Sequence, residues 1–128
     1  MKRKSNKYSA RKVTVNGITY DSIKEYHRHC ELKLLERVGR ITDLKTQVPF
    51  ELIPAQYETF ERYGKKGQRL KDGKRCVEKS VVYWADFVYT ENGKMVVEDT
   101  KSDATKTKDY VIKRKLMLWV HNIRIKEI

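Results

Sequence analysis

Apolar and polar positions along the chain change their period several times, and each change marks an element. VTVNGITY, ending at Tyr20, is two short β-prone runs around Asn16-Gly17, the pattern of a hairpin. From about Ser22 to Val38 the residues Ile23, Tyr26, Cys30, Leu34 and Val38 recur at helical spacing, which predicts a helix burying that stripe. Ser22 is its N-cap, Glu25 falls at the third helical position to complete a capping box, and Gly39 is the stop. Arg40 to Ile53 reads as extended, closed by Pro54. Tyr57 to Tyr63 is a further strand, followed by the Gly/Lys-rich GKKGQRLKDGKR, which reads as a loop or hairpin tip. SVVYWADFVYT is a strand long enough to be central, Glu91-Asn92-Gly93-Lys94 turns the chain, and KMVVEDTKS returns. Thr107 to His121 reads as a helix with Ile112, Leu116, Trp119 and Val120 toward the core and Lys108, Lys113, Arg114 and Lys115 mostly outward. Asn122 ends it, and IRIKEI supplies a last strand. The fold class is therefore mixed α/β, a mixed sheet flanked by helices, with a strand-helix-strand unit at its end.

The second hairpin fixes a register with chemical consequences. If Asn92-Gly93 is a two-residue type I′ turn, Glu91 pairs with Lys94 and every position outward is set. Asp86 lies six residues before Asn92 and Asp99 six after Gly93, so the two are directly opposed on one face, beside Val88 and Val97. Directly opposed residues have Cβ atoms about 4.5–5.5 Å apart, where two carboxylates repel, more so in a partly dry site. A divalent cation is the natural compensation. Mg²⁺ takes hard oxygen ligands and keeps several waters, so two carboxylates and a backbone carbonyl, with Thr100 the candidate, suffice when phosphate supplies more oxygen. Lys101, two residues beyond Asp99, shares that face. An ammonium there can orient or help deprotonate an attacking water, or neutralise charge developing on phosphate. Asp86, Asp99 and Lys101 thus make a minimum kit for metal-assisted phosphodiester hydrolysis. The alternative is a diagonal Asp86–Lys101 salt bridge on a solvated face, with Asp99 incidental. Glu98 faces the other way, opposite Phe87, and becomes a ligand only if a bulge shifts the register. Read from spacing alone, Glu25 is a cap first, the alternative being a helix-borne carboxylate that binds metal directly or through water. His27 and His29, two apart on a helix, cannot chelate one zinc, and His121 stands alone.

Charge supplies the substrate class. The 128 residues carry 29 Lys and Arg against 17 Asp and Glu, a formal net charge of +12, with 10% aromatic residues that separate the chain from a disordered basic tail. Self-repulsion on that scale needs a reason, and the commonest are nucleic acid, an anionic membrane surface or an acidic protein partner, with nucleic acid first among them. Residues 1–11 form a basic arm that includes Lys2, Arg3 and Lys4, and residues 12–128 form a single domain in which 62–76 is a basic loop insertion carrying Lys65, Lys66 and Arg69. Lys106, Lys108 and Arg114 are further candidates for phosphate contacts. No apolar run approaches the roughly 20 residues of a membrane span, and the N-terminus lacks the apolar core of a secretory signal. Cys30 and Cys76 are far apart, form no CxxC pair, and fit reduced thiols in a cytosolic protein.

Three ordered segments carry a resemblance: YDSIKEYHRHCELKLLERVGRITDLKTQ, YWADFVYTENGKMVVEDTKS and TKDYVIKRKLM. Together they resemble a family of small phage and prophage proteins, a domain of unknown function within the PD-(D/E)XK nuclease superfamily. The likeness runs from about Arg11 to Ile128, leaving out the 62–76 region. It implies the αβββαβ core of that superfamily, with Asp86 at the first motif aspartate, Asp99 at the D/E position and Lys101 at the motif lysine. It also places Glu25 and Gln47 at positions where relatives carry site residues, so that Glu25 is expected both to cap and to serve the site. The superfamily's proline is absent, Ala85 standing before Asp86. The resemblance implies Mg²⁺- or Mn²⁺-dependent cleavage of DNA in the cytoplasm of a host bacterium. It also implies kinship with phage-type Holliday junction resolvases, hence branched DNA and a homodimer. The competing expectations are a nuclease without junction preference and a non-catalytic basic DNA-binding module.

Overall fold

The computed structural model describes residues 12–128, so the basic arm with Lys2, Arg3 and Lys4 lies outside the described residues. Strands β1 (Val13–Val15) and β2 (Ile18–Tyr20) form the first hairpin, with Asn16 at φ 51° and Gly17 at φ 79°, the left-handed pair that a type I′ turn requires. Helix α1 (Ile23–Arg37) follows, then β3 (Thr42–Ile53), β4 (Gln56–Tyr63), β5 (Arg69–Glu78), β6 (Val81–Glu91) and β7 (Lys94–Asp99). A short 3-10 turn (Asp103–Thr105), α2 (Lys108–His121) and β8 (Lys126–Glu127) complete the chain. The main sheet has the order β3-β6-β7-β8, with β6 antiparallel to both neighbours and β8 parallel to β7 across the α2 connection. Five strands lie between the two helices, three of them in the main sheet, and the fold is mixed α+β.

Two apolar clusters hold helices to this sheet. Leu52, Tyr83, Ala85, Val88 and Val97 pack with Tyr110 and Met117 of α2, whereas Phe87 and Tyr89 pack with Leu32 of α1 and Ile41. Ala85 and Phe87 are two residues apart on one strand, and strict alternation would put them on one face. Their membership of different clusters means that the sheet rolls over at Asp86. The partner strand rolls with it, since Leu44 joins the α1 cluster and Val48 the α2 cluster. Between them Gln47 takes φ 50°, at the position opposite Asp86 and between the Thr46–Phe87 and Val48–Ala85 pairs. The roll sets Asp86 and Gln47 at a junction between the two sides of the sheet.

Three expectations are corrected. On α1 the buried residues are Glu25, His29 and Leu32, whereas Ile23, Leu34 and Val38 are each more than half exposed and Cys30 is exposed. The cause is polar. His29 Nδ1 bonds the Tyr20 hydroxyl at 2.6 Å, and Arg28 reaches the fully buried Glu98, so specific polar partners outweigh an apolar stripe in choosing the docked face. On α2 the buried residues are Tyr110 and Met117, with Leu116 packed beside them, while Ile112, Val120 and above all Trp119, 86% exposed, face outward. Two apolar stripes share that helix, and periodicity cannot tell which one docks. Finally, of the two readings of 62–76 the hairpin holds and the loop does not. Arg69 to Glu78 is strand β5, paired with β4 as a separate two-stranded ribbon, exposed on both faces except at Gly73.

Candidate active site

The Asn92-Gly93 turn is left-handed at both residues (φ 52° and 75°), and the pairing runs from Glu91–Lys94 through Val88–Val97 to Phe87–Glu98. Asp86 and Asp99 are the next positions beyond the last pair, and the Asp86 carboxylate there meets the Thr100 N–H. Asp99 is 2% exposed. Its Oδ2 accepts a hydrogen bond from the Tyr83 hydroxyl, and Lys101 Nζ lies 3.0 Å from its Oδ1. Oδ1 is buried and has no well-formed hydrogen bond, so the ammonium's charge is its only compensation. Asp86 Oδ2 accepts from the Thr100 N–H at 2.8 Å, and its Oδ1 lies 3.4 Å from Gln47 Nε2.

Gln47 joins α1 to this pair. Its Nε2 donates to Glu25 Oε1 at 3.3 Å, while Glu25 Oε2 accepts from the Asp21 N–H at 3.1 Å. The Glu25 N–H in turn donates to Ser22 Oγ at 3.1 Å, so the predicted cap is present in one direction, and the carboxylate reaches the residue before the cap instead of the cap itself. Glu25 therefore holds the start of the helix and faces the aspartates. Lys101 Nζ sits 4.6 Å from the Tyr110 ring centre, on the α2 side.

The electrostatics follow from this crowding. Burial, then the neighbouring Asp99, pushes the Asp86 carboxyl up to about 7, against the opposing effect of the Thr100 N–H. Glu25 is raised as well, first by burial, with Asp21 and Asp99 adding to it against the Asp21 N–H. Tyr83 is raised by burial and by Asp99, so its hydroxyl stays protonated and donates. Across the sheet, burial opposes the charge on Glu98, but hydrogen bonds from Arg28, at 2.8 and 2.7 Å, and from Tyr89 overcome it and hold the carboxyl below its usual range. Glu98 is thus a satisfied structural ion pair, and not a ligand.

Whether these residues suit a divalent ion is decided by the donor set. Among the described residues no group of three or more His, Cys, Asp or Glu side chains is placed to hold a metal ion. Mg²⁺ does not need such a group, because it is held by one or two carboxylates plus water and substrate oxygen. Two neighbouring aspartates, one with a buried oxygen compensated by a single ammonium and the other with a carboxyl displaced toward neutrality, are a donor pair with less positive charge than two carboxylates call for. They fit a hard cation. Thr100 meets the site through its N–H to Asp86, and its buried hydroxyl is unpartnered.

The remaining candidates lie elsewhere. Lys65 and Lys66 sit in the turn between β4 and β5, and Arg69 beside it bonds Asp72. Lys106 and Arg114 converge on Glu127, at 3.3 and 3.1 Å, and Lys108 is exposed at the start of α2. Sequence reasoning missed Tyr83. By alternation it belongs on the face opposite Asp99, and only the roll at Asp86 brings its hydroxyl round. Arg28 was also missed, and its partner Glu98 is 70 residues away, so no local spacing signals the contact.

No helix of the described residues is long and apolar enough to cross a membrane. A family model described as "Protein of unknown function (DUF1064)" matches residues 5–126. No curated protein and no solved structure gives a match.

Proposed function

We propose that this chain, which belongs to the DUF1064 family, is a divalent-metal-dependent DNA endonuclease with Asp86, Asp99 and Lys101 at its centre. The observation that carries the reading is the buried Asp99 carboxylate neighbouring Asp86, with the Lys101 ammonium 3.0 Å from it. The element order of α1, β3, β6, β7, α2 and β8 agrees with the αβββαβ core that the resemblance implies, and the net charge of +12 suits a polyanionic substrate.

Asp86 and Asp99 would hold Mg²⁺ or Mn²⁺, with Glu25 reached through Gln47 and the Thr100 backbone alongside. A bound ion supplies Lewis acidity to the phosphate and lowers the pKa of an attacking water. The chain's own residues do the rest. Tyr83 fixes the rotamer of Asp99 by donating to Oδ2. Gln47 ties Glu25 and Asp86 together, so that α1 and β6 approach the phosphate as one unit. Lys101 is the one ammonium aimed at Asp99, and it can turn to a phosphate oxygen and neutralise charge gained in the transition state. The substrate in this reading is branched DNA and the assembly a homodimer, both carried by the likeness to phage-type Holliday junction resolvases.

The test is incubation of the protein with four-way junction, flap and linear duplex DNA, in Mg²⁺, Mn²⁺ or EDTA. Metal-dependent cleavage of the junction alone is expected. Cleavage of every substrate retains the nuclease and removes the junction preference. Binding without cleavage in either metal leaves a basic DNA-binding module and ends the catalytic reading. The dimer is checked by the mass in solution.

A further inference from the structure

The ribbon β4–β5 has no structural task inside the domain. It forms its own two-stranded sheet, pairing Gln56 with Glu78 at its root and Tyr63 with Arg69 near its tip. Every residue of β4 is exposed, and so is every residue of β5 except the half-buried Gly73. A two-stranded hairpin with no sheet or helix against it is marginally stable in water, so a ligand laid along this one would add to its stability.

Its surface says which. Between Gln56 and Glu78 there are seven Lys or Arg against four Asp or Glu. Cations lie over its aromatic rings on both faces. Lys74 Nζ is 4.3 Å from the centre of Tyr57, the Arg69 guanidinium 5.7 Å from Tyr63, and the Arg75 guanidinium 5.2 Å from Phe60. Arg69 and Arg75 also hold Asp72 and Glu58 at 2.7 and 2.8 Å, exposed ion pairs weak enough to exchange for phosphate. By strand alternation Tyr57 and Tyr63 share one face and Phe60 takes the other. Phe60 lies over Gly73, where a Cβ would come within 2.3 Å of the ring, so the cross-strand packing is specific even though the ribbon is isolated. The aromatic groups are therefore stiff supports for ammonium and guanidinium groups, and not an open apolar patch for a protein core. A second copy would bring the same excess of positive charge.

We infer that the β4–β5 ribbon is a duplex-binding arm that enters the major groove of the nucleic acid and contacts phosphates on both walls through Arg69, Lys74 and Arg75. A major groove about 12 Å wide admits a two-stranded ribbon. The eight residues of β4 span about 26 Å at about 3.3 Å each. Its root adjoins the Ile53–Val81 pair, five residues or about 17 Å along β6 from Asp86. A duplex seated at the aspartates thus has the arm within about one helical turn, about 34 Å. That the duplex is DNA rests on the nuclease reading, whereas the arm's affinity does not.

The experiment measures binding of the full chain to a 30-base-pair duplex and to a 30-nucleotide single strand in EDTA, across a salt series. The parent is compared with Arg69→Ala/Lys74→Ala/Arg75→Ala and with Tyr57→Ala/Tyr63→Ala, and mass and melting temperature are recorded for each. The triple variant is expected to melt with the parent, to lose at least about tenfold in duplex affinity, and to show a salt slope smaller by about 2.7, that is, three contacts at about 0.9 each. The tyrosine variant is expected to lose affinity in the same direction. Parental duplex affinity in the triple variant overturns the inference. So does equal binding of single strand and duplex by the parent, or a change of mass with unchanged affinity, which would make the ribbon a contact between copies. If affinity falls as expected while the parent cleaves nothing in Mg²⁺ or Mn²⁺, the nuclease reading fails and the arm stands. Cleavage by the parent with unchanged affinity in the triple variant gives the reverse.

Discussion

Asp86 is where sequence and chemistry meet. Its carboxyl, raised to about 7 in the fold against 3.8 when free, makes metal-free stability depend on pH in a defined direction. A raised folded value means that the contribution is complete below pH 4 and is lost as pH rises through 7, at up to about 1.4 kcal/mol per pH unit. Glu25 acts in the same sense, while Glu98, held low by Arg28, contributes in the opposite sense and only at pH values below its free value of 4.5. In EDTA the melting temperature is expected to fall between pH 5 and 7.5 (about the window of the raised group), and Asp86→Asn is expected to flatten that slope and to melt above the parent at the upper end. A lower melting temperature for the variant there would show that the aspartates do not repel. Asp99→Asn keeps the size and the Tyr83 contact but removes the charge facing Lys101. It is expected to abolish cleavage, by about 10²-fold or more as for loss of an electrostatic contributor in an enzyme site, while the DNA affinity measured in EDTA stays near that of the parent.

At the scale of elements, helix α1 is docked by polar groups. Arg28 reaches from it to Glu98 on β7 with two hydrogen bonds, and Tyr89 supplies a third. Removing one partner of such a pair leaves a buried charge alone. Arg28→Ala is therefore expected to destabilise by about 3–5 kcal/mol, and Arg28→Ala/Glu98→Gln by clearly less. Equal losses in single and double variants in a thermal melt would mean that the pair is not coupled. The same contact explains why the helical pattern misled: Ile23, Leu34 and Val38 are spaced as a buried stripe, yet the fold turns Glu25, His29 and Leu32 inward. Tight turns behaved otherwise. Asn16-Gly17 and Asn92-Gly93 were legible because φ > 0 at two successive positions restricts residue type strongly, whatever surrounds them.

The whole molecule couples the site to stability through its missing charge. An ion that binds only the folded state adds RT ln(1 + [L]/Kd), about 2.7 kcal/mol at a hundred times Kd. Mg²⁺ or Mn²⁺ is expected to raise the melting temperature of the parent, and Asp99→Asn to lose that shift. A shift of equal size in both proteins would place the ion elsewhere. The surplus positive charge is distributed unevenly about this site. Lys106 and Arg114 pair with Glu127, whereas Lys65 and Lys66 at the tip of the ribbon and Lys108 at the start of α2 are exposed.

The sequence by itself determined the turns, the order of helices and strands, and the nearness of Asp86 to Asp99 with Lys101 alongside. All of these depend on local backbone geometry and on counting from a fixed turn. Only the tertiary structure decided which face of each helix docks, that GKKGQRLKDGKR belongs to a ribbon, and that the sheet rolls at Gln47 and Asp86 to bring Tyr83 onto Asp99. Those outcomes depend on partners distant in sequence, whose hydrogen bonds and packing choose between alternatives that a periodic pattern leaves equal.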